Sequence, residues 1–185
     1  MKIAKVKITG ITTLAQGKYI NVEKLPKELP KDYEIRTWRE RLHYDQNGVV
    51  FIPNFALKNC LSEAAKFLSI KIPGKSQATY TKHFEAGVMV MECMSLGIKK
   101  DAVDGQWLFV PSDGKRGGGK RVEKCFPVMP QWEGNAEFLI LDETITEDVF
   151  TTHIQQAGQF IGLGSLRPRN NGFFGRFDAQ VLSFE

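Results

Sequence analysis

Near the start of the chain Ala4, Val6 and Ile8 alternate with Lys5, Lys7 and Thr9, the two-residue period of a strand with one apolar and one basic face. A helical period takes over after Pro53: Leu57, Leu61, Ala64, Ala65 and Leu68 predict a helix opened by Asn54 as N-cap and stopped by Pro73-Gly74. A second helix is predicted after residues 144–146, with Glu147 and Asp148 in its first turn and Phe150, Ile154, Ala157 and Ile161 along one face, ending near Gly162. Strand-like runs occupy residues 87–94, 106–110, 136–141 and 176–184. Asn47-Gly48 supplies the left-handed positions of a tight turn, so residues 35–44 and 49–52 read as the arms of a hairpin. Alternation in its first arm places Arg39, Arg41 and His43 opposite Trp38, Leu42 and Tyr44, and makes Arg39 and Arg41 candidates for phosphate contact.

The order is strand, hairpin, helix, strands, helix, strand. An antiparallel sheet with two helices on one face satisfies it, an α+β class of the ferredoxin-like split βαβ type used by RNA-recognition domains. One domain over residues 1–185 is expected, with irregular insertions at about 17–34, where Pro26 and Pro30 fall, and 73–86.

Composition changes this picture little. Apolar residues make up 42% and charged residues 25%, as in ordinary globular proteins, and the net charge of +4 is too small to name a partner by itself. Distribution is more telling, since no carboxylate occurs between Val149 and Phe177. Cys60, Cys93 and Cys125 stand far apart and odd in number, which fits reduced thiols and a cytoplasmic setting. No apolar run is long enough to span a bilayer, so no membrane partner is expected.

Candidate chemistry concentrates in residues 162–177, where Gly162, Gly164, Gly172 and Gly175 bracket Arg167, Arg169 and Arg176, with Phe173, Phe174 and Phe177 among them. Glycine admits close backbone approach, arginine grips phosphate with a planar fork, and aromatic rings stack on bases. At least one of Phe173 and Phe174 is expected in the core. A second basic loop carries Lys115, Arg116, Lys120 and Arg121 among glycines. Its Gly114 to Lys120 spacing matches a phosphate-binding P-loop. Arg121 stands where that motif needs Ser or Thr, and two prolines follow where it needs a helix, so nucleotide hydrolysis is not expected. Tyr80, His83 and Phe84 interleave with Lys75 and Lys82 and read either as stacking groups or as pins for a long loop.

Support for catalysis is thinner. His43, beside Tyr44 and on the face of Arg39 and Arg41, is the candidate general base for cleavage through a 2′-hydroxyl, while His153 reads as a surface or capping side chain. Asp142 and Glu143 read as structural groups ahead of a helix. No metal or other cofactor is indicated.

The segment Phe51-Ile52-Pro53-Asn54-Phe55-Ala56-Leu57-Lys58-Asn59-Cys60-Leu61 resembles the entry to the first helix in the RAMP superfamily of CRISPR-associated proteins. Residues 162–177 resemble that superfamily's C-terminal glycine-rich loop. The resemblance is strongest to the backbone subunits that line a guide RNA, and a stand-alone relative from a phage or mobile element fits it equally. It implies a modified RNA-recognition fold, contact with an RNA backbone and head-to-tail self-assembly or docking to CRISPR-like complex subunits. It also implies phosphate contact by Lys58 and a backbone cradle formed by Gly162, Gly164, Gly172, Gly175 and Arg176.

Binding of single-stranded RNA or DNA, without catalysis, is the leading expectation. Two others stand beside it: a metal-independent RNA-processing endoribonuclease with His43 as base, and a protein-interaction module or viral mimic of a backbone subunit.

Overall fold

Apolar alternation in the first strand continues across its neighbours. The computed structural model describes residues 1–112 and 119–185. In it β1 (Lys2–Gly10) turns Ala4, Val6 and Ile8 inward, all fully buried. Next come β2 (Leu14–Ala15), α1 (Pro30–Thr37), a 3-10 turn over Trp38–Arg41, β3 (Val49–Ile52), α2 (Asn54–Leu68), α3 (Thr81–Gly87) and β4 (Val88–Val90). The chain continues through β5 (Met94–Lys99), β6 (Asp104–Pro111), β7 (Arg121–Met129), β8 (Glu133–Ile140), α4 (Glu147–Gln156) and β9 (Phe177–Phe184).

Four strands form an antiparallel sheet in the order β4-β8-β1-β9. With α2 between β1 and β4, and α4 between β8 and β9, this is the split βαβ arrangement repeated twice, the ferredoxin-like order. Leu57, Leu61, Ala64 and Ala65 of α2 and Phe150 and Ile154 of α4 pack with β1, Phe138 and Ile140 of β8, and Phe177 and Ala179 of β9 in one buried core. The Phe138 and Phe150 rings meet edge to face at 5.4 Å. Burial of each such side chain stabilises the fold by about 1.5–3 kcal/mol. A second sheet, β2-β7-β6, and the pair β3-β5 are built from the connections that follow β1 and β4.

Several expectations need correction. Residues 35–44 do not form a hairpin arm: residues 30–41 are helical, because Pro30 starts α1 and the Glu34 carboxylate pairs with Arg41 one turn beyond its end. The turn at 45–48 survives as the Tyr44–Val50 bridge, and β3 pairs with β5 instead. Arg39, Arg41 and His43 therefore do not share a strand face. Asn54 is the first residue of α2 rather than its cap, and the helix ends at Ser69, in left-handed geometry, before Pro73 is reached. Of residues 87–94 only Val88–Val90 is the sheet strand, since Gly87 closes α3 and Met94 opens β5.

The prolines of residues 122–130 do not prevent β7 from pairing with β6 along its length. Pro127 lies just past the β2 ladder, where it cannot donate to Gln16 but its carbonyl accepts from Gln16 N–H at 3.1 Å. His153 is neither a surface nor a capping side chain. It is buried in the core, stacked on Phe84 at 4.2 Å, with Nδ1 against the Val149 carbonyl and Nε2 unpartnered.

Candidate nucleic-acid interface

After α4 the backbone widens into a π-turn over Ala157–Ile161, and the chain reverses at Gly162 with φ of 73°. Gly164 and Gly175 also hold positive φ, at 76° each. A side chain on Gly164 would run into the Ala15 carbonyl, and one on Gly175 or Gly172 into the backbone of Leu163 or Leu166. These glycines let the loop fold against itself and against β2, and their Cβ directions are filled by the protein's own backbone.

The loop is correspondingly well tied. Ser165 N–H donates to the Ala15 carbonyl at 2.7 Å, Leu163 N–H to Gly175 at 2.9 Å, Gly175 N–H to Thr13 at 2.8 Å and Phe174 N–H to Leu166 at 3.1 Å. Thr12 Oγ1 accepts from Arg176 N–H at 3.0 Å. The buried Cys60 thiol of α2 donates to the Gly162 carbonyl at 3.3 Å, and burial pushes its pKa up to about 12, so it stays a neutral structural group. Neither Phe173 nor Phe174 enters the core as expected: Phe173 is 68% exposed and Phe174 half-buried, and Phe177 is the ring of this stretch that the core takes up.

Where the loop faces the start of α2 there is a cleft of about 510 Å³, within the range of ligand pockets. Gly164, Ser165, Arg167 and Asn170 line one wall, Phe55 and Asn59 of α2 another, and Gln16 and His43 the floor. The positive end of the α2 dipole opens here, beside Pro53. Gln16, only 3% exposed, replaces part of a strand ladder: its Oε1 accepts from His43 N–H at 2.7 Å and its Nε2 donates to the Phe51 carbonyl at 2.9 Å.

That clamp sets the His43 ring 5.9 Å from Phe51 and 6.4 Å from Phe55. Burial, helped by the field of Lys18, lowers the His43 pKa and favours the neutral ring at neutral pH. Phe55 is 60% exposed, although it opens a helix whose other apolar face is buried. Among the described residues lining the cleft, His43 is the sole histidine, and no carboxylate joins it.

The candidate basic residues divide sharply. Arg167 reaches the cleft, and together with Arg169 it pairs with one carboxylate, Glu63 of α2: Nη2 of Arg167 lies 3.0 Å from Oε2, and Nε of Arg169 lies 2.9 Å from Oε1. Arg176 turns back to its own loop, with Nη1 donating to the Phe173 carbonyl at 3.3 Å. Lys58 donates to the Glu85 carbonyl at the end of α3, at 2.7 Å. Arg41 is held by Glu34 and by the Cys125 carbonyl, and Arg39 stacks on Trp38 with its guanidinium 4.4 Å from the ring centre. Lys120 and Arg121 are exposed at the base of the β6–β7 hairpin, where Ser112 N–H donates to the Lys120 carbonyl, and Lys115 and Arg116 lie outside the described residues.

Of the candidates, the fold gathers His43, Gly164 and Arg167 into the cleft and adds Phe55, Asn59, Ser165 and Glu63 beside it. Phe55 was legible only as an apolar residue off the helix stripe. Glu63 had no local signal, because it neutralises a loop that is 106 residues away from it at Arg169. Tyr80 and Phe84 are buried and pin the segment before β4, and Asp142 is tied to His83 at 2.6 Å and to Thr144 N–H at 2.8 Å.

No family model and no curated protein matches the sequence. The fold has solved counterparts. The crystal structure of Cmr6 from Pyrococcus furiosus matches with a TM-score of 0.51, over 97% of this chain and 99% of that one, at 13% identity. A chain in the cryo-EM structure of the Type III-B Cmr-beta bound to cognate target RNA matches with a TM-score of 0.52, over 100% of this chain and 60% of that one, at 13% identity. At such identity the likeness is one of fold: an α+β, ferredoxin-like architecture. Among the described residues no helix is long and apolar enough to cross a membrane.

Proposed function

We propose that this protein binds single-stranded RNA, without cutting it, through the cleft between the glycine-rich loop and the start of α2. The observation that carries the reading is the convergence of two stacking rings, His43 and Phe55, with Arg167 and the positive end of a helix in one cleft. Rings and cations in a groove are the combination that holds a strand irrespective of its sequence. RNA is favoured over DNA because one solved counterpart of the fold is a chain of a complex bound to target RNA. In this reading Gly162, Gly164, Gly172 and Gly175 shape the wall of the cleft, while Arg176 fixes the loop and does not touch the strand.

Cleavage is disfavoured by the lining: an acid–base pair is needed for transfer through a 2′-hydroxyl, and His43 has no titratable partner among the described residues of the cleft. Service as a subunit of a larger RNA-guided complex, as an assembling backbone or as a phage-borne relative, is compatible with the same cleft.

Fluorescence anisotropy with a labelled eight-nucleotide oligouridylate tests the reading. Binding should weaken linearly on a double-logarithmic plot as salt rises, Arg167→Gln should reduce the slope by about one phosphate contact, and Phe55→Ala should weaken binding about tenfold at unchanged slope. Absence of binding at low salt by the wild-type protein would overturn it.

A further inference from the structure

One row of α2 runs beyond the cleft. Phe55, Asn59, Glu63 and Phe67 are spaced four residues apart, so they lie along one side of the helix, with twelve residues of rise giving about 18 Å from end to end. The glycine-rich loop flanks this row, contributing Arg167 and Asn170 beside Asn59, and Arg167 and Arg169 beside Glu63. At the far end Phe67 is 52% exposed and meets Phe160 of the π-turn, itself 45% exposed, with ring centres 5.5 Å apart and planes at 36°. The Arg169 guanidinium lies 6.0 Å from the Phe67 ring centre. Two half-exposed rings, Arg169 and one carboxylate therefore form a cluster that neither the core nor the cleft uses, joined to the cleft through Arg167.

Resting on the proposed function, we infer that this cluster is a second nucleotide subsite of the same single-stranded RNA track. A base stacks on Phe67 and Phe160, and its phosphate takes the place of the Glu63 carboxylate between Arg167 and Arg169. The charge balance fits an anion. Two guanidinium groups face one carboxylate, so the cluster keeps a net positive charge, and the exposed Lys66 lies one turn from Glu63 on the same helix.

The geometry fits as well. Arg167 and Arg169 flank Pro168 in a 3-10 turn and approach the two oxygens of Glu63 separately, which is how two arginines hold a phosphate. An apolar partner would meet this charged flank, while a nucleotide matches both halves of the cluster. Glu63 thus holds the arginines in place in the free protein and competes with the strand. At the roughly 3.4 Å axial spacing of phosphates along one stacked strand, an 18 Å row accommodates about five nucleotides.

The test compares oligouridylates of eight and two nucleotides on the wild type, a Phe67→Ala/Phe160→Ala variant, Glu63→Gln and Phe55→Ala. Octamer binding by the double variant should weaken about tenfold, while dinucleotide binding, confined to the cleft, should stay within twofold. Glu63→Gln should tighten octamer binding severalfold and steepen its salt dependence. If the double variant and Glu63→Gln bind the octamer as the wild type does while Phe55→Ala weakens it, the subsite is refuted and the cleft stands. If the wild type binds neither oligonucleotide at low salt, the cleft reading falls and the subsite falls with it. Thermal melts of each variant guard against misfolding, which the exposure of both rings makes a small concern.

Discussion

Arg41 and Arg167 each pair with a glutamate of a helix, yet they belong to different kinds of site. Arg41 and Glu34 are 12% and 7% exposed, matched one to one, and fully engaged: Glu34 Oε1 also accepts from Cys125 N–H at 2.8 Å, and Arg41 also donates to the Cys125 carbonyl. The pair joins α1 to the middle of β7. Arg167 is 25% exposed and shares Glu63 with Arg169, so one positive charge remains uncompensated beside an open cleft. Burial and counter-charge, not residue type, separate an arginine that holds the fold from one that is available to a ligand.

The largest test of this contrast is Arg41→Ala. Leaving Glu34 buried without its partner should cost about 3–5 kcal/mol, read as a lowered urea midpoint at unchanged m-value. Arg167→Ala, measured alongside, should cost less than about 1 kcal/mol. Equal losses would erase the distinction.

Next in size is Gly164→Ala, which places a side chain at positive φ and against the Ala15 carbonyl. A loss of about 1–3 kcal/mol is expected, together with weakened RNA binding, because the wall of the cleft must shift. Retained affinity in a destabilised variant would show that the loop's shape does not matter to the ligand.

The histidines extend the comparison to pH. Burial lowers the pKa of His153 in the core, with its bond to the Val149 carbonyl working the other way. A folded-state pKa below the unfolded one means that stability is complete above about pH 6.5 and falls as the pH drops through that value, by at most about 1.4 kcal/mol per pH unit for one proton. His153→Phe should flatten that acid slope, leaving the smaller contribution of half-buried His43; urea denaturation between pH 5 and 8 measures the difference. The smallest effect expected is that of Arg39→Ala, about 0.5–1 kcal/mol for an exposed cation–π contact with Trp38, with RNA binding unchanged.

Much of the fold was legible in advance where one face of an element is buried along its whole length. The alternation of Ala4, Val6 and Ile8 and the helical spacing of Leu57, Leu61, Ala64 and Ala65 are set by a core on one side and water on the other, and both elements stand where their periods put them. Residues 35–44 misled because alternation over a short polar stretch also suits a helix end, and the Glu34–Arg41 pair that favours the helix is invisible without the β7 backbone it serves. His153 misled because a lone polar residue on a helix gives no sign of whether the aromatic Phe84 will lie on it.

The candidate site divides along the same line. By itself the sequence determined that residues 162–177 hold glycines, arginines and rings without a carboxylate, and that they lie between a helix and the last strand, because composition and period are local properties. Only the tertiary structure decided that the glycines turn the loop inward, that Glu63 comes from α2 to balance Arg167 and Arg169, and that His43 and Phe55 face the same cleft. Counter-charges and ring partners are supplied across long sequence separations, and no local pattern records which ones the packed chain will bring together.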